Sequence, residues 1–310
     1  MTRDNAVAMM KKFQTVAPIK VSILVATYNH EKFISDCLNA IITQKTRFSM
    51  EIIVHDDAST DATPEILKKY VDQYPGLISV ICQSKNIFNT GQKVWPILHR
   101  AAKGEYIAYC DGDDIWLNQS KIQLQVDFLE KYIDYSFSFH ASVGITTNGS
   151  FDDHRSLNLD RDISAEELLS FNFGGSVLFG SMVHRNISGL LPPEFNLTPN
   201  GDMFMPALLG LFGAGKYLHA AGPLGYRNNP QGMFLSKSAN NKMRTVLRTR
   251  LMILVYLLRS EDDKRSKKFV EQNLTDYSRL RNFDYGPNDR SNISCLSPYI
   301  SHGVISELEV

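Results

Sequence analysis

Two apolar rhythms alternate along the first part of this chain. From Lys20, KVSILVATYN is a β-branched run that stops at Asn29 and reads as a buried parallel strand. EKFISDCLNAIITQ follows, with Phe33, Ile34, Cys37, Leu38, Ile41 and Ile42 at helical spacing. MEIIVHDDAST repeats the strand pattern and closes on Asp56 and Asp57. DATPEILKKYVDQYP reads as a helix, with Asp61 placed to cap it, Pro64 suited to its first turn and Pro75 ending it. LISVICQ is a third strand, VWPILHRAAKG a helix stopped by Gly104, and EYIAYCD a fourth strand.

Strands and helices alternating at this spacing predict βαβ units around a parallel sheet. We place this half at residues 18–140 and a less regular second half at 141–235. In the second half SVLFGSMVHR reads as a strand, and GDMFMPALLGLFGAGKYLHAAGP as a helix, a glycine turn and a strand. Residues 236–310 form a helical extension and tail, with Leu247, Leu251, Leu254, Val255 and Leu258 on one helix face.

Composition narrows the class of function. Lys and Arg number 33 and Asp and Glu 33, so no basic field for nucleic acid and no acidic tail is expected. Cys37, Cys82, Cys110 and Cys295 are scattered without a C-x-x-C pair, which predicts neither a zinc site nor a redox motif and suits a reducing compartment. The first residues hold no apolar signal core, and LMILVYLL is too short to span a bilayer, so a cytoplasmic location is expected. Lys237, Lys242, Arg244, Arg248, Arg250 and Arg259 surround the apolar helix stripe. They suit either a solvated basic face or a peripheral contact with the inner face of an anionic membrane.

The candidate chemistry lies at strand ends. Thr27, Asp57 and Asp111 all stand at predicted carboxyl ends, the edge where open α/β sheets bind ligands. In YIAYCDGDDIW, Asp111, Asp113 and Asp114 crowd one turn. Such a cluster repels itself unless a cation joins it, and carboxylates at a loop suit Mg²⁺ or Mn²⁺. A solvated Asp-Gly turn is the plain alternative, while an EF-hand is excluded because Ile115 and Trp116 occupy its ligand and glycine positions. The HDDAST carboxylates suit either a nucleobase or ribose, or an N-cap cluster for the following helix. The chain has no G-x-G-x-x-G after the first strand, no P-loop and no G-x-S-x-G elbow.

Read together, VSILVATYNHEKFISDCLNAIITQ, EIIVHDDASTDAT, KGEYIAYCDGDDIW and GDMFMPALLGLFGAGKYL resemble, in order and spacing, the family 2 glycosyltransferases, with wording most like bacterial members that build surface polysaccharides. The resemblance implies a GT-A fold, a Rossmann-like and mostly parallel sheet flanked by helices, over residues 18–235. It also implies an inverting, metal-dependent enzyme that moves a sugar from a nucleotide-diphosphate donor to a glycan or lipid-linked acceptor. Carried over residue by residue, Thr27 faces the base or ribose and Asp57 reads the base. Asp113 holds Mn²⁺ or Mg²⁺, Asp111 faces the ribose or the metal, and Asp114 supports the turn, with contact to the donor sugar as its alternative. Asp202 is the catalytic base, with a helix N-cap as its alternative role; Arg227 contacts the diphosphate or makes a structural salt bridge, and Lys93 leans on the donor or is a plain exposed lysine.

The chain departs from the family at GYRNNPQ, where Asn229 stands in place of the usual histidine. His30, His55 and His184 show no metal-ligand spacing and read as local structure. Trp116 is expected beneath the turn and Trp95 in the core. Residues 294–299 resemble a fragment of the flavin-binding domain of photolyases and cryptochromes, too short to build a flavin pocket. The rival functions are a non-catalytic nucleotide or sugar binder in a glycan assembly, which has no need of Asp202, and a sugar nucleotidyltransferase, which wants a glycine-rich basic loop that ATYNHEKF does not supply.

Overall fold

The computed structural model describes residues 18–146, 150–152, 159–170, 177–187, 191–227 and 239–259. The first half runs β1 (Val21–Thr27), α1 (Ile34–Ile42), β2 (Met50–Asp56), α2 (Thr63–Gln73), β3 (Ile78–Cys82), α3 (Trp95–Ala101) and β4 (Tyr106–Asp111). Strands β3, β2, β1 and β4 lie side by side and parallel, as the alternating pattern predicts.

Their continuous apolar runs follow from burial on both faces. Val21, Ile23 and Val25 pack with Ile34, Cys37, Leu38 and Ile41 of α1. Leu24, Ile53, Ile107 and Tyr109 face the opposite core with Leu98 of α3. Each such aliphatic side chain stabilises the fold by roughly 1.5–3 kcal/mol when fully buried.

The chain continues through β5 (Ile115–Trp116), α4 (Lys121–Lys131), β6 (Tyr135–Phe139), β7 (Ser142–Ile145), β8 (Phe151–Asp152), α5 (Ala165–Ser170) and β9 (Val183–Arg185). Then come α6 (Pro193–Leu197), α7 (Gly201–Gly210), β10 (Ala214–Tyr217), β11 (Leu224–Arg227) and α8 (Ala239–Arg259). Strand β9 sits antiparallel between β4 and β6, and β10 adds parallel to β6, giving the order β10-β6-β9-β4-β1-β2-β3. A second sheet, β5-β11-β7-β8, places β11 beside β5, the strand that leaves the aspartate turn.

Two expectations change. Among the described residues of SVLFGSMVHR only the last three pair as a strand, because Phe179–Ser181 form a tight 3₁₀ turn. There the Gly180 carbonyl accepts the Trp116 indole N–H at 2.9 Å, and a Cβ on Gly180 would lie 2.8 Å from Leu224. The predicted stripe of the last helix is also redrawn. Leu251, Met252, Ile253, Leu254 and Leu257 are buried with α6 and α7 in the core, whereas Leu247 is 42% exposed. Thr245 and Thr249 are buried along the same helix, and at its end Arg259 makes a two-pronged pair with Glu194 at 2.6 and 3.0 Å. Asn229, the residues past Arg259 that the sequence pattern reads as helical and the tail at 294–299 lie outside the described residues.

Candidate active site at the carboxyl edge of the sheet

Register brings the predicted residues level. Thr27 pairs with Asp56, and Ala26 with Asp111, so β1, β2 and β4 end at one height. The loops after β1 and β2 are laced together. The Asn29 N–H donates to Ser59 Oγ (2.8 Å), and Asn29 Oδ1 accepts the Thr60 N–H (2.8 Å). The Glu31 N–H donates to Asp61, and the Ala62 N–H to Glu31, each at 3.0 Å.

This lacing holds two non-glycine residues in the left-handed region, Asn29 at φ 55° and Ala58 at φ 61°. Asn tolerates that conformation, whereas Ala carries a cost of roughly 1–2 kcal/mol. Ala58→Gly is therefore expected to stabilise the fold by about 1 kcal/mol, after allowance for the looser unfolded chain. That gain would raise Tm by about 2–4 °C, and calorimetric melting checks it.

The two HDDAST carboxylates do not cap the following helix. Asp56 accepts both the Ser59 N–H and its hydroxyl. Asp57, buried, accepts the backbone N–H groups of Ile87 (2.8 Å) and Phe88 (3.1 Å), anchoring the loop beyond β3. The helix start is instead served by Asp61, which accepts the Thr63 N–H at 2.9 Å.

The aspartate turn closes tightly after β4. The Gly112 N–H donates to Ala26 C=O (2.8 Å) and the Asp114 N–H to Asp111 C=O (2.9 Å). A Cβ on Gly112 would come within 2.7 Å of Thr27 Oγ1 and 2.9 Å of His30 Nδ1, so close approach demands glycine here. Thr27 Oγ1 meets His30 Nδ1 at 3.2 Å, and the other ring nitrogen lies 3.7 Å from Asp113 Oδ2. His30, expected to be local structure, thus touches the site. Its signal was its place three residues after the end of β1, not any metal-ligand spacing. His55 and His184 do serve local structure, on Gln83 and Tyr109. Trp116 is buried after the turn, and Trp95 stands edge-on to Tyr109 and Phe179 in the core.

Arg227 arrives from β11. Its backbone N–H donates to Asp114 Oδ1 (3.0 Å), its Nε–H to Asp113 C=O (2.9 Å) and its Nη2 to Asp36 (3.4 Å). Asp202 lies second in α7, behind Asn200 as the N-cap residue, so its carboxyl does not cap that helix. Lys93 Nζ stands 3.5 Å from Pro199 C=O, just before α7.

Asp111 and Asp202 keep some accessible surface, yet protein surrounds their carboxyl groups. Burial, then Asp113 and Asp202, hold the Asp111 proton affinity well above the usual carboxylate range. Burial, then Asp113 and Asp111, do the same for Asp114. Burial lifts the Asp202 pKa to about 7, against a downward pull from Lys93. The Tyr226 hydroxyl also has its pKa raised, first by burial and then by all four of these aspartates.

Among the described residues no three His, Cys, Asp or Glu side chains form a ready metal cage. The donors present at the turn are hard carboxylate oxygens that repel one another, a set whose chemistry fits Mg²⁺ or Mn²⁺.

Residues 22–187 match the sequence pattern of glycosyl transferase family 2. An uncharacterised protein of Mycobacterium bovis is 37% identical over 166 residues, 53% of this chain and 46% of that protein. The Escherichia coli enzyme WfaP, a UDP-Glc:alpha-D-GlcNAc-diphosphoundecaprenol beta-1,3-glucosyltransferase, is 34% identical over 119 residues, 38% of this chain and 45% of WfaP. The chain spans about half the length of these curated relatives. The crystal structure of Staphylococcus aureus TarS 1–349 with UDP-GlcNAc aligns at a TM-score of 0.57 and 19% identity, covering 88% of this chain and 78% of that one. At that identity the likeness concerns the fold, which is GT-A. The matched sequence pattern runs through the strands that carry these carboxylates, and on that match the chain belongs to glycosyl transferase family 2.

Proposed function

We propose that the protein transfers a sugar from a nucleotide-diphosphate donor to an acceptor hydroxyl with inversion, in bacterial polysaccharide synthesis. The observation that carries this reading is that the charges of Asp113 and Asp202 both bear on the Asp111 carboxyl, with the Asp202 pKa near 7. A carboxyl poised there can take a proton at neutral pH, a property that a mere nucleotide binder does not need.

Asp202 accepts the proton of the attacking acceptor hydroxyl, and one displacement at the anomeric carbon gives inversion. Asp113, with Asp111, would hold Mn²⁺ or Mg²⁺, and the chemistry such an ion supplies is neutralisation of charge on the departing diphosphate. Asp57 serves the base from its anchored position. A carboxylate has about four lone-pair sites, and two backbone donors leave room for a base or ribose group. Thr27 borders the same edge, and Lys93 leans toward the donor from beside Asp202.

The relatives' names bear on partners. WfaP acts on a diphosphoundecaprenol-linked sugar and TarS binds UDP-GlcNAc, so a UDP-sugar donor and a glycan or lipid-linked acceptor are the first to test. Calorimetry with UDP, GDP and dTDP, each with and without Mn²⁺, is expected to show metal-dependent binding of one nucleotide. No binding of any of them by folded protein would sink the donor site.

We place the protein in the cytoplasm at the inner face of the membrane. No helix among the described residues is long and apolar enough to cross a bilayer. Contact would be peripheral, through the outer half of α8, where Met243 and Leu247 are exposed beside the exposed Arg244, Arg248 and Arg250. Co-sedimentation with anionic but not neutral vesicles is the expected result, and equal recovery with both would refute the contact.

A further inference from the structure

The geometry points to Arg227 as a positioning residue that latches the aspartate turn, with Phe33 and Asp36 as its seat, and not as a ligand of the donor. This inference rests on the proposed transferase reading for its meaning in catalysis, but its structural part stands apart from it.

The guanidinium has three partners among the described residues. Its carbon lies 4.5 Å from the Phe33 ring centroid, Nε donates to the Asp113 carbonyl at 2.9 Å, and Nη2 reaches Asp36 at 3.4 Å. The side chain is 10% exposed. Phe33 directly precedes α1 and Asp36 lies in its first turn, so one residue of β11 ties α1 to the turn. Strand β11 also pairs with β5, which leaves that turn, so the second sheet backs the latch.

The contacts sort the three acids. The backbone N–H of Arg227 takes Asp114 Oδ1, turning that buried carboxyl toward β11. The Nε contact fixes the peptide carbonyl of Asp113, and through it the direction of the Asp113 side chain, which also lies 3.7 Å from His30. Asp111 and Asp113 keep some accessible surface while Asp114 is buried and spent on structure. Arginine suits this task because its planar group can stack on an aromatic face while an edge N–H bonds a carbonyl, which an ammonium cannot do in the same geometry.

Hydrogen exchange on the full-length protein without ligand tests the structural part. Arg227→Ala is expected to speed exchange at the amides of Gly112 and Asp114 by at least tenfold, with β1 to β3 unchanged. Arg227→Lys should give an intermediate effect. Asp36→Asn should change it less than twofold, since Asp36 is 59% exposed and its pair is weak. Unchanged exchange at the turn in Arg227→Ala overturns the latch.

Titration of UDP with and without Mn²⁺ tests the catalytic part. Arg227→Ala should raise the Mn²⁺ concentration needed for tight UDP binding by about tenfold while leaving metal-free UDP binding unchanged. A matching fall in metal-free binding would make Arg227 a direct donor ligand and overturn the assignment. Faster exchange at the turn, in a protein whose wild type binds no nucleotide, would uphold the latch and remove the transferase reading alone.

Discussion

Replacing Asp202 by asparagine is expected to cut turnover by roughly 10²–10⁴-fold while leaving nucleotide affinity unchanged, because the amide keeps the shape of the carboxyl but cannot take a proton. Steady-state rates paired with calorimetry check both halves. A variant that retains most of its turnover would remove Asp202 from the chemistry. The pH profile gives a second handle. The pKa of Asp202 stands at about 7, raised by burial. The base must be ionised to act, so wild-type kcat/KM should fall about tenfold per unit as pH drops below that value and level off above it.

The same shift has a stability consequence of opposite sense. An aspartate with an ordinary unfolded pKa and a raised folded one binds more protons when folded. Stability is therefore fully present below the unfolded value near 3.8 and is lost as pH rises toward about 7. At pH 8 the ionised, buried carboxylate works against the fold, and Asp202→Asn should melt at a higher temperature than wild type. Less activity with more stability is the pattern of a functional group held in an unfavourable setting.

The second large effect is at Asp113. Asp113→Ala should abolish the Mn²⁺-dependent part of nucleotide binding and lower kcat/KM by at least about 100-fold, the scale on which lost electrostatic stabilisation at a reacting centre is measured. Calorimetry with and without Mn²⁺ on both proteins isolates the metal-dependent part. Here too the ligand-free fold should gain. Asp113 contributes to the raised proton affinities of Asp111 and Asp114, and removing its charge lets both ionise more easily. A higher Tm for ligand-free Asp113→Ala at neutral pH, alongside the loss of metal-dependent binding, would distinguish charge relief from general damage. A lower Tm would count against that electrostatic account.

Much of this protein was legible from the chain alone. The parallel core follows from apolar runs at β1, β2 and β4 separated by helical spacing, because strands buried on both faces are largely apolar. The polar ends of those strands follow too, since a strand that leaves the core must end where water or a ligand can reach it. Thr27, Asp56, Asp57 and Asp111 could therefore be placed at one edge by counting along the sequence.

Tertiary structure decided which groups meet and what each is free to do. Asp57 is held by the amides of Ile87 and Phe88, about thirty residues away, and Arg227 crosses more than a hundred to reach Asp113. No local spacing encodes such contacts: the first depends on how the loop after β3 folds back to β2, the second on how β11 returns beside β5. His30 gave no motif, yet a tight turn around Gly112 puts it against Thr27 and Asp113. The raised pKa of Asp202 is likewise a property of its surroundings. The identity of a carboxylate is written in the sequence, but its proton affinity depends on burial and on neighbouring charges that only the folded chain brings together.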